Sequence, residues 1–272
     1  YATWRVAGWD ASLYHAGNVA IHLVNGLVVY AIGTAVIAPA AAVVAAGVFL
    51  LHPLNSEAVS YVTGRSDLLM TLGVLLAVWC ALGRLTWWRA IGMGLALLGA
   101  ALSKEIGLVG IPLVLVTLAC WRPGTLSLQR TAPLWVGLGA VVGVSWSTWI
   151  VWLTQGALQG ETAPTWLQFV PVQTAAVWHL LRPDVWIAGL TIDHDMGGLS
   201  VTAQVVSGLL TLAAIAVARW AWTRCPVLAW AMGWAAISVA PRFLFRTNEW
   251  INEHQFYLAT AGLSVMGGQL VH

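Results

Sequence analysis

The sequence predicts an all-α, polytopic membrane helix bundle, and three observations carry that prediction. Of its 272 residues, 60% are hydrophobic and only 8% are charged, against about a quarter charged in a soluble domain. The apolar residues gather into nine runs separated by short polar connections. Finally, the charges sort by sign. Asp10, Glu57, Asp67, Glu105, Glu161, Asp184, Asp193, Asp195, Glu249 and Glu253, which are all the acids in the chain, fall in one alternate set of loops. Arg84, Arg89, Arg122, Arg130, Arg219 and Arg224 fill the opposite set, with no acid among them.

In chain order the runs lie at 18–37, 39–52, 67–83, 88–103, 106–121, 131–154, 201–219, 226–245 and 256–271. Several fall short of the roughly 20 residues a straight span needs. The weakest is 39–52, which reads as a partial or tilted helix. Short helices are tolerated where a polar cavity enters the bilayer and backbone faces water or protein. Taking all nine as spans places 1–17, 52–67, 103–106, 155–200 and 245–256 on one side. The loops 83–90, 121–131 and 219–226 then lie on the other, and their positive charge makes them cytoplasmic. Tryptophans agree: Trp87, Trp88, Trp121, Trp220 and Trp222 mark the inner interface, and Trp4, Trp9, Trp166 and Trp250 the outer. Within the long outer loop, Val172–Arg182 reads either as a helix lying along the interface or as one packed on the domain. The chain reads as one membrane domain, 1–272, without an internal repeat.

Several function classes are excluded by absence of their motifs. There is no basic patch suited to nucleic acid, no P-loop, no dinucleotide-type glycine motif and no zinc-ligand spacing. Cys80, Cys120 and Cys225 fall at or near the cytoplasmic side, so free thiols are expected.

Four polar clusters can carry chemistry. His52, Glu57, Arg65 and Asp67 stand within one outer connection, where such groups are costly unless paired or solvated. Local pairing of Glu57–Arg65 or Arg65–Asp67 is the structural alternative. Lys104 and Glu105 sit at a turn between two apolar runs; the ammonium suits a lipid phosphate, and a local Lys–Glu pair is the competing account. Asp193 and Asp195 match a DxD cation pattern, but a solvated outer turn is the preferred reading and no divalent cation is expected. Arg242, Arg246 and Glu253 make a candidate anionic-lipid site, with mutual salt bridging as the alternative. Trp146, Trp149 and Trp152 share a helix face that reads as packing or lipid-facing. His15 and His22 read as ordinary polar positions on a helix.

The strings His52-Pro53-Leu54-Asn55-Ser56-Glu57-Ala58-Val59 and Gly64-Arg65-Ser66-Asp67-Leu68-Leu69 resemble a signature of the transmembrane and tetratricopeptide-repeat O-mannosyltransferases and their bacterial relatives. Leu102-Ser103-Lys104-Glu105, His22-Leu23-Val24-Asn25, Leu180-Leu181-Arg182-Pro183 with Asp193–Gly197, and Asn252–Leu258 are similar to further elements of that family, in the same order. The resemblance implies a GT-C-type glycosyltransferase fold. It also implies a polyprenyl-phosphate sugar donor used at the outer face, a protein hydroxyl as acceptor, and no cofactor. On that reading Lys104 and Arg65 hold the donor phosphate, and His52, Glu57, Asp67 and Glu105 orient them.

The chain departs from the family's pattern in places. His254 stands where the family usually has Arg, and Ala259 where it has Pro. The family's acidic base loop would precede Tyr1, and its tetratricopeptide repeats would follow the membrane part. A second reading therefore makes the chain a non-catalytic subunit, with membrane lipids and other membrane proteins as its partners.

Overall fold

The computed structural model describes residue 8 and residues 10–84, 86–121, 165–182, 199–244 and 252–271. Among them the structure is helical, with no strand. The longer helices are α1 (Ala11–Val36), α2 (Pro39–Leu51), α4 (Arg65–Leu82), α5 (Trp87–Ser103), α6 (Gly110–Trp121), α7 (Trp166–Leu180), α8 (Val201–Arg224), α9 (Pro226–Val239) and α11 (Tyr257–Val271). Two short pieces, α3 (Ser56–Ser60) and α10 (Pro241–Leu244), complete the set.

Local chemistry sets many of these boundaries. Asp10 caps α1, its Oδ1 accepting from Ser12 N–H at 2.9 Å and from the Ser12 hydroxyl at 2.6 Å. Those two donors hold the Asp10 carboxyl below its ordinary range. The chain leaves α1 through extended Ile37 and Ala38, as a residue before proline requires, and Pro39 opens α2. Ser200 caps α8, and Pro226 opens α9. Capping boxes start α7 at Thr165 and the 3-10 turn Glu253–Phe256 at Asn252.

Eight of the nine expected apolar runs appear as helices or helix pairs, and the 131–154 run lies outside the described residues. The expectation of nine spans is corrected on length. Three described helices are long and apolar enough to cross a membrane: Ala11–Val36, Val62–Leu82 and Val201–Arg224. Pro39–Leu51 with Pro53–Ser60 makes a fourth only if its 53° bend belongs to one broken span. The bend falls at His52–Pro53, where proline removes a backbone donor. The 13 residues of α2 rise only about 20 Å, short of a hydrocarbon core of about 30 Å.

Neighbouring helices close a ring. α1 packs on α2, α2 on α11, α11 on α9, α9 on α6, α6 on α4, and α4 returns to α1. α5 lies outside α4, α8 lies outside α9, and α7 packs against α8 and α10. Inside, Phe49, Val74, Leu75, Leu97, Trp230 and Trp234 belong to one continuous apolar core. Close approach makes the ring possible: a Cβ at Gly268 of α11 would run into the Ala41 carbonyl oxygen of α2, and one at Gly73 of α4 would lie 2.5 Å from the Ala96 carbonyl oxygen of outer α5.

The expectation for Val172–Arg182 resolves toward packing. Phe169, Gln173, Ala175, Ala176 and Leu180 of α7 are buried, and Trp178 Nε1–H donates to Thr211 Oγ1 of α8 at 2.8 Å. Cys80, Cys120 and Cys225 are free thiols.

Candidate functional site at the polar end of the bundle

Helix ends assemble the site. The start of α1, the start of α4, the end of α5, the arm Pro53–Ser60 and the turn Glu253–Phe256 meet at one end of the bundle. Three long-range contacts join them.

Lys104 and Asp67 form the first. Lys104 Nζ donates to Asp67 Oδ1 at 2.7 Å. Asp67 lies in the first turn of α4 and Lys104 is the C-terminal cap of α5. Each charge therefore faces the helix-dipole end that favours it. The Lys104 side chain is 20% exposed and Asp67 7%, so the anion is covered while the cation remains reachable. The sequence-level alternative, a local Lys104–Glu105 pair, gives way to this long-range one. Glu105 opens the 3-10 turn Glu105–Val109 and is partly exposed.

Glu57 and His254 form the second. Glu57 Oε2 accepts from the His254 main-chain N–H at 2.8 Å, and Oε1 lies 2.9 Å from His254 Nδ1. A carboxylate only accepts, so Nδ1 carries the proton. Burial works to raise the Glu57 pKa, but the His254 ring and main-chain donors outweigh it and leave the carboxyl below its ordinary range. The clasp ties residues 197 positions apart.

Arg65 forms the third. Its Nε–H donates to Asn18 Oδ1 at 3.0 Å and its Nη2–H to the Tyr14 carbonyl at 2.8 Å, while the guanidinium lies 5.5 Å from the Tyr14 ring centroid. Asn18 Nδ2 in turn donates to the carbonyls of Val59 and Tyr61 at 3.2 and 2.9 Å. Arg65 thus fastens α1 to α4 and to the arm between them, whereas the resemblance implies a place on the donor phosphate.

The remaining candidates fall as follows. His52 ends α2 and its Nδ1 accepts from Leu54 N–H at 3.3 Å, a capping contact. Glu253 is 2% exposed, and Arg242 lies in α10. Arg246, Asp193, Asp195, Trp146, Trp149 and Trp152 lie outside the described residues.

Sequence reasoning missed a polar stripe beneath this end. Asn18, His22 and Asn25, at i, i+4 and i+7, share one face of α1. His22 Nε2 lies 3.1 Å from the Leu50 carbonyl, which can only accept, so Nε2 carries the proton. Nδ1 then accepts from the Tyr257 hydroxyl at 2.6 Å. The Tyr257 oxygen accepts from Asn25 Nδ2 at 3.1 Å, and Asn25 Nδ2 also donates to the Leu68 carbonyl at 3.0 Å, while Asn25 Oδ1 has no partner among the described residues. Asn55 continues the pattern by accepting from Thr260 Oγ1 at 2.8 Å. The signal was the polar spacing itself in an otherwise apolar helix.

Comparison with known proteins touches part of this architecture. Over 112 residues, 38% of the chain, the sequence is 35% identical to the protein O-mannosyl-transferase F38B6.6 of Caenorhabditis elegans. The matched stretch is 15% of that protein's length. No family model matches the chain, and no solved structure matches it. The described residues form an α-helical bundle with helices long and apolar enough to span a membrane, and over the matched stretch the sequence is similar to that of a protein O-mannosyl-transferase.

Proposed function

We propose that this chain is the membrane core of a glycosyltransferase that moves a sugar from a polyprenyl-phosphate donor to a protein hydroxyl. The polar end would face the outer side of the membrane, with loops 83–90, 121–131 and 219–226 in the cytoplasm. The observation that carries the reading is the Lys104–Asp67 pair: a reachable ammonium held in place by a covered carboxylate. An ammonium has three N–H donors, and Asp67 takes one of them.

In the reaction, the acceptor oxygen forms a bond to the anomeric carbon as the anomeric C–O bond to phosphate breaks. The electron pair leaves on the polyprenyl phosphate, and the acceptor's proton passes to a base that the family resemblance places upstream of Tyr1. Lys104 stabilises the charge arriving on the leaving phosphate, where a preorganised cation is most effective. Asp67 sets the ammonium's position. Arg65, engaged with Tyr14 and Asn18, and Glu57, engaged with His254, hold the walls and act as positioning residues. The reading takes support from the O-mannosyl-transferase similarity and from a basic group at the bundle end where a lipid phosphate would arrive.

Replacing Lys104 by Ala should lower transfer from polyprenyl-phosphate mannose by on the order of 100-fold while the protein stays membrane-inserted. Undiminished transfer by an inserted Lys104→Ala protein would sink the assignment.

A further inference from the structure

Below the Glu57–His254 clasp lies a small second core of Leu54, Ala176, Leu180, Val239, Phe256 and Ala259. Leu54 belongs to the arm that carries Glu57, and Phe256 lies two residues beyond His254. Gln173 of α7 lies on the same helix face as Ala176 and Leu180, at i, i+3 and i+7. Its exposure is 0%. Neither its Oε1 nor its Nε2 has a hydrogen-bond partner among the described residues. Buried polar groups are nearly always satisfied, and an amide left unmatched twice over is costly. An amide so fully buried and unmatched at both its atoms, beside this apolar cluster, points to a missing hydrogen-bonding partner.

We infer that Gln173 forms a recognition subsite for a neutral hydroxyl-bearing group of the transfer reaction. The inference rests on the glycosyltransferase reading of the polar end. The Gln173 amide is uncharged and both donates and accepts. A hydroxyl also donates and accepts, whereas a phosphate offers only acceptors and calls for cations. Within that reaction the hydroxyls come from the donor's sugar or from the acceptor.

The test uses the full chain in lipid nanodiscs, as wild type and as Gln173→Leu, with Gln173→Met as a second variant of closer shape. Binding of polyprenyl-phosphate mannose is measured against bare polyprenyl phosphate, together with the KM for a serine- and threonine-containing acceptor peptide and the Tm. Loss of an approximately tenfold preference for the sugar-bearing lipid, with Tm unchanged or raised, assigns the subsite to the donor sugar. An intact preference with an acceptor KM raised about tenfold assigns it to the acceptor. If neither quantity moves, or if both variants melt well below wild type, the amide is satisfied inside the protein and the proposal fails. A wild type that binds neither lipid would overturn the parent reading instead, and the subsite with it.

Discussion

The middle of the bundle and its polar end are held together by different physics. In the middle, helices approach through small residues and interlocking apolar side chains. Trp230 and Trp234 meet edge to face at 5.1 Å, and the backbone of α5 lies against Gly73 of α4. At the polar end, the same helices are joined by a few directional contacts between charged or amide side chains: Lys104–Asp67, Glu57–His254 and Arg65–Asn18. Apolar packing is distributed, so the middle should respond to added volume. Directional contacts are concentrated, so the polar end should respond to the loss of single atoms.

The largest effect on stability is expected in the middle. Gly73→Leu drives a side chain into the Ala96 carbonyl and the Ala100 backbone, a neighbour that cannot rotate away. A loss of about 3 kcal/mol or more should show as a collapsed Tm or absent folded protein. Gly47→Ala, with nothing within 4 Å of the added carbon, is the matched control and should melt like wild type.

The polar stripe between the two regions should fall next. Tyr257→Phe removes the hydroxyl that serves both His22 and Asn25, leaving His22 Nδ1 unmatched and Asn25 Nδ2 with its bond to the Leu68 carbonyl alone. About 1–3 kcal/mol of stability should be lost in equilibrium unfolding. A cost near zero would mean that the network is not a structural tie.

The ion pair separates stability from chemistry. Lys104→Ala alone leaves covered Asp67 without its cation, whereas Lys104→Met with Asp67→Leu removes both charges together. Apolar replacement of a buried pair is often neutral. The double variant should therefore recover most of the Tm lost by the single one while remaining unable to transfer sugar. Recovery of transfer along with stability would reduce the pair to a scaffold element.

The smallest effect concerns pH. Glu57 has a depressed pKa in the folded protein. Its contribution is therefore fully present above the ordinary carboxylate range and is lost as pH falls through the depressed folded value. Melting curves from neutral to acid pH should fall less steeply for Glu57→Gln than for wild type. Parallel slopes would show that the clasp contributes nothing to acid sensitivity.

How much of the site could be read in advance differs residue by residue. Lys104 stood out because an ammonium between apolar runs is conspicuous, yet its neighbour Glu105 looked like its partner. The actual partner, Asp67, lies 37 residues away and is brought near because α4 and α5 are neighbours with opposed directions. Arg65 was conspicuous for the same reason as Lys104. Its partners Tyr14 and Asn18 were not, since neither is charged. Gln173 was not singled out, because a glutamine in a segment that reads equally as an interfacial or a packed helix is ordinary until that helix proves to be buried.

The sequence by itself determined which segments become helices and where most of them start. Apolar runs, N-capping side chains and prolines act over one or two turns, within reach of local chemistry. It also determined which residues are too polar to be ignored. Only the tertiary structure decided that α7 packs on the bundle and which opposite charges meet. Those outcomes depend on side chains far apart in the chain converging at the ends of a ring, and sequence spacing carries no measure of that distance.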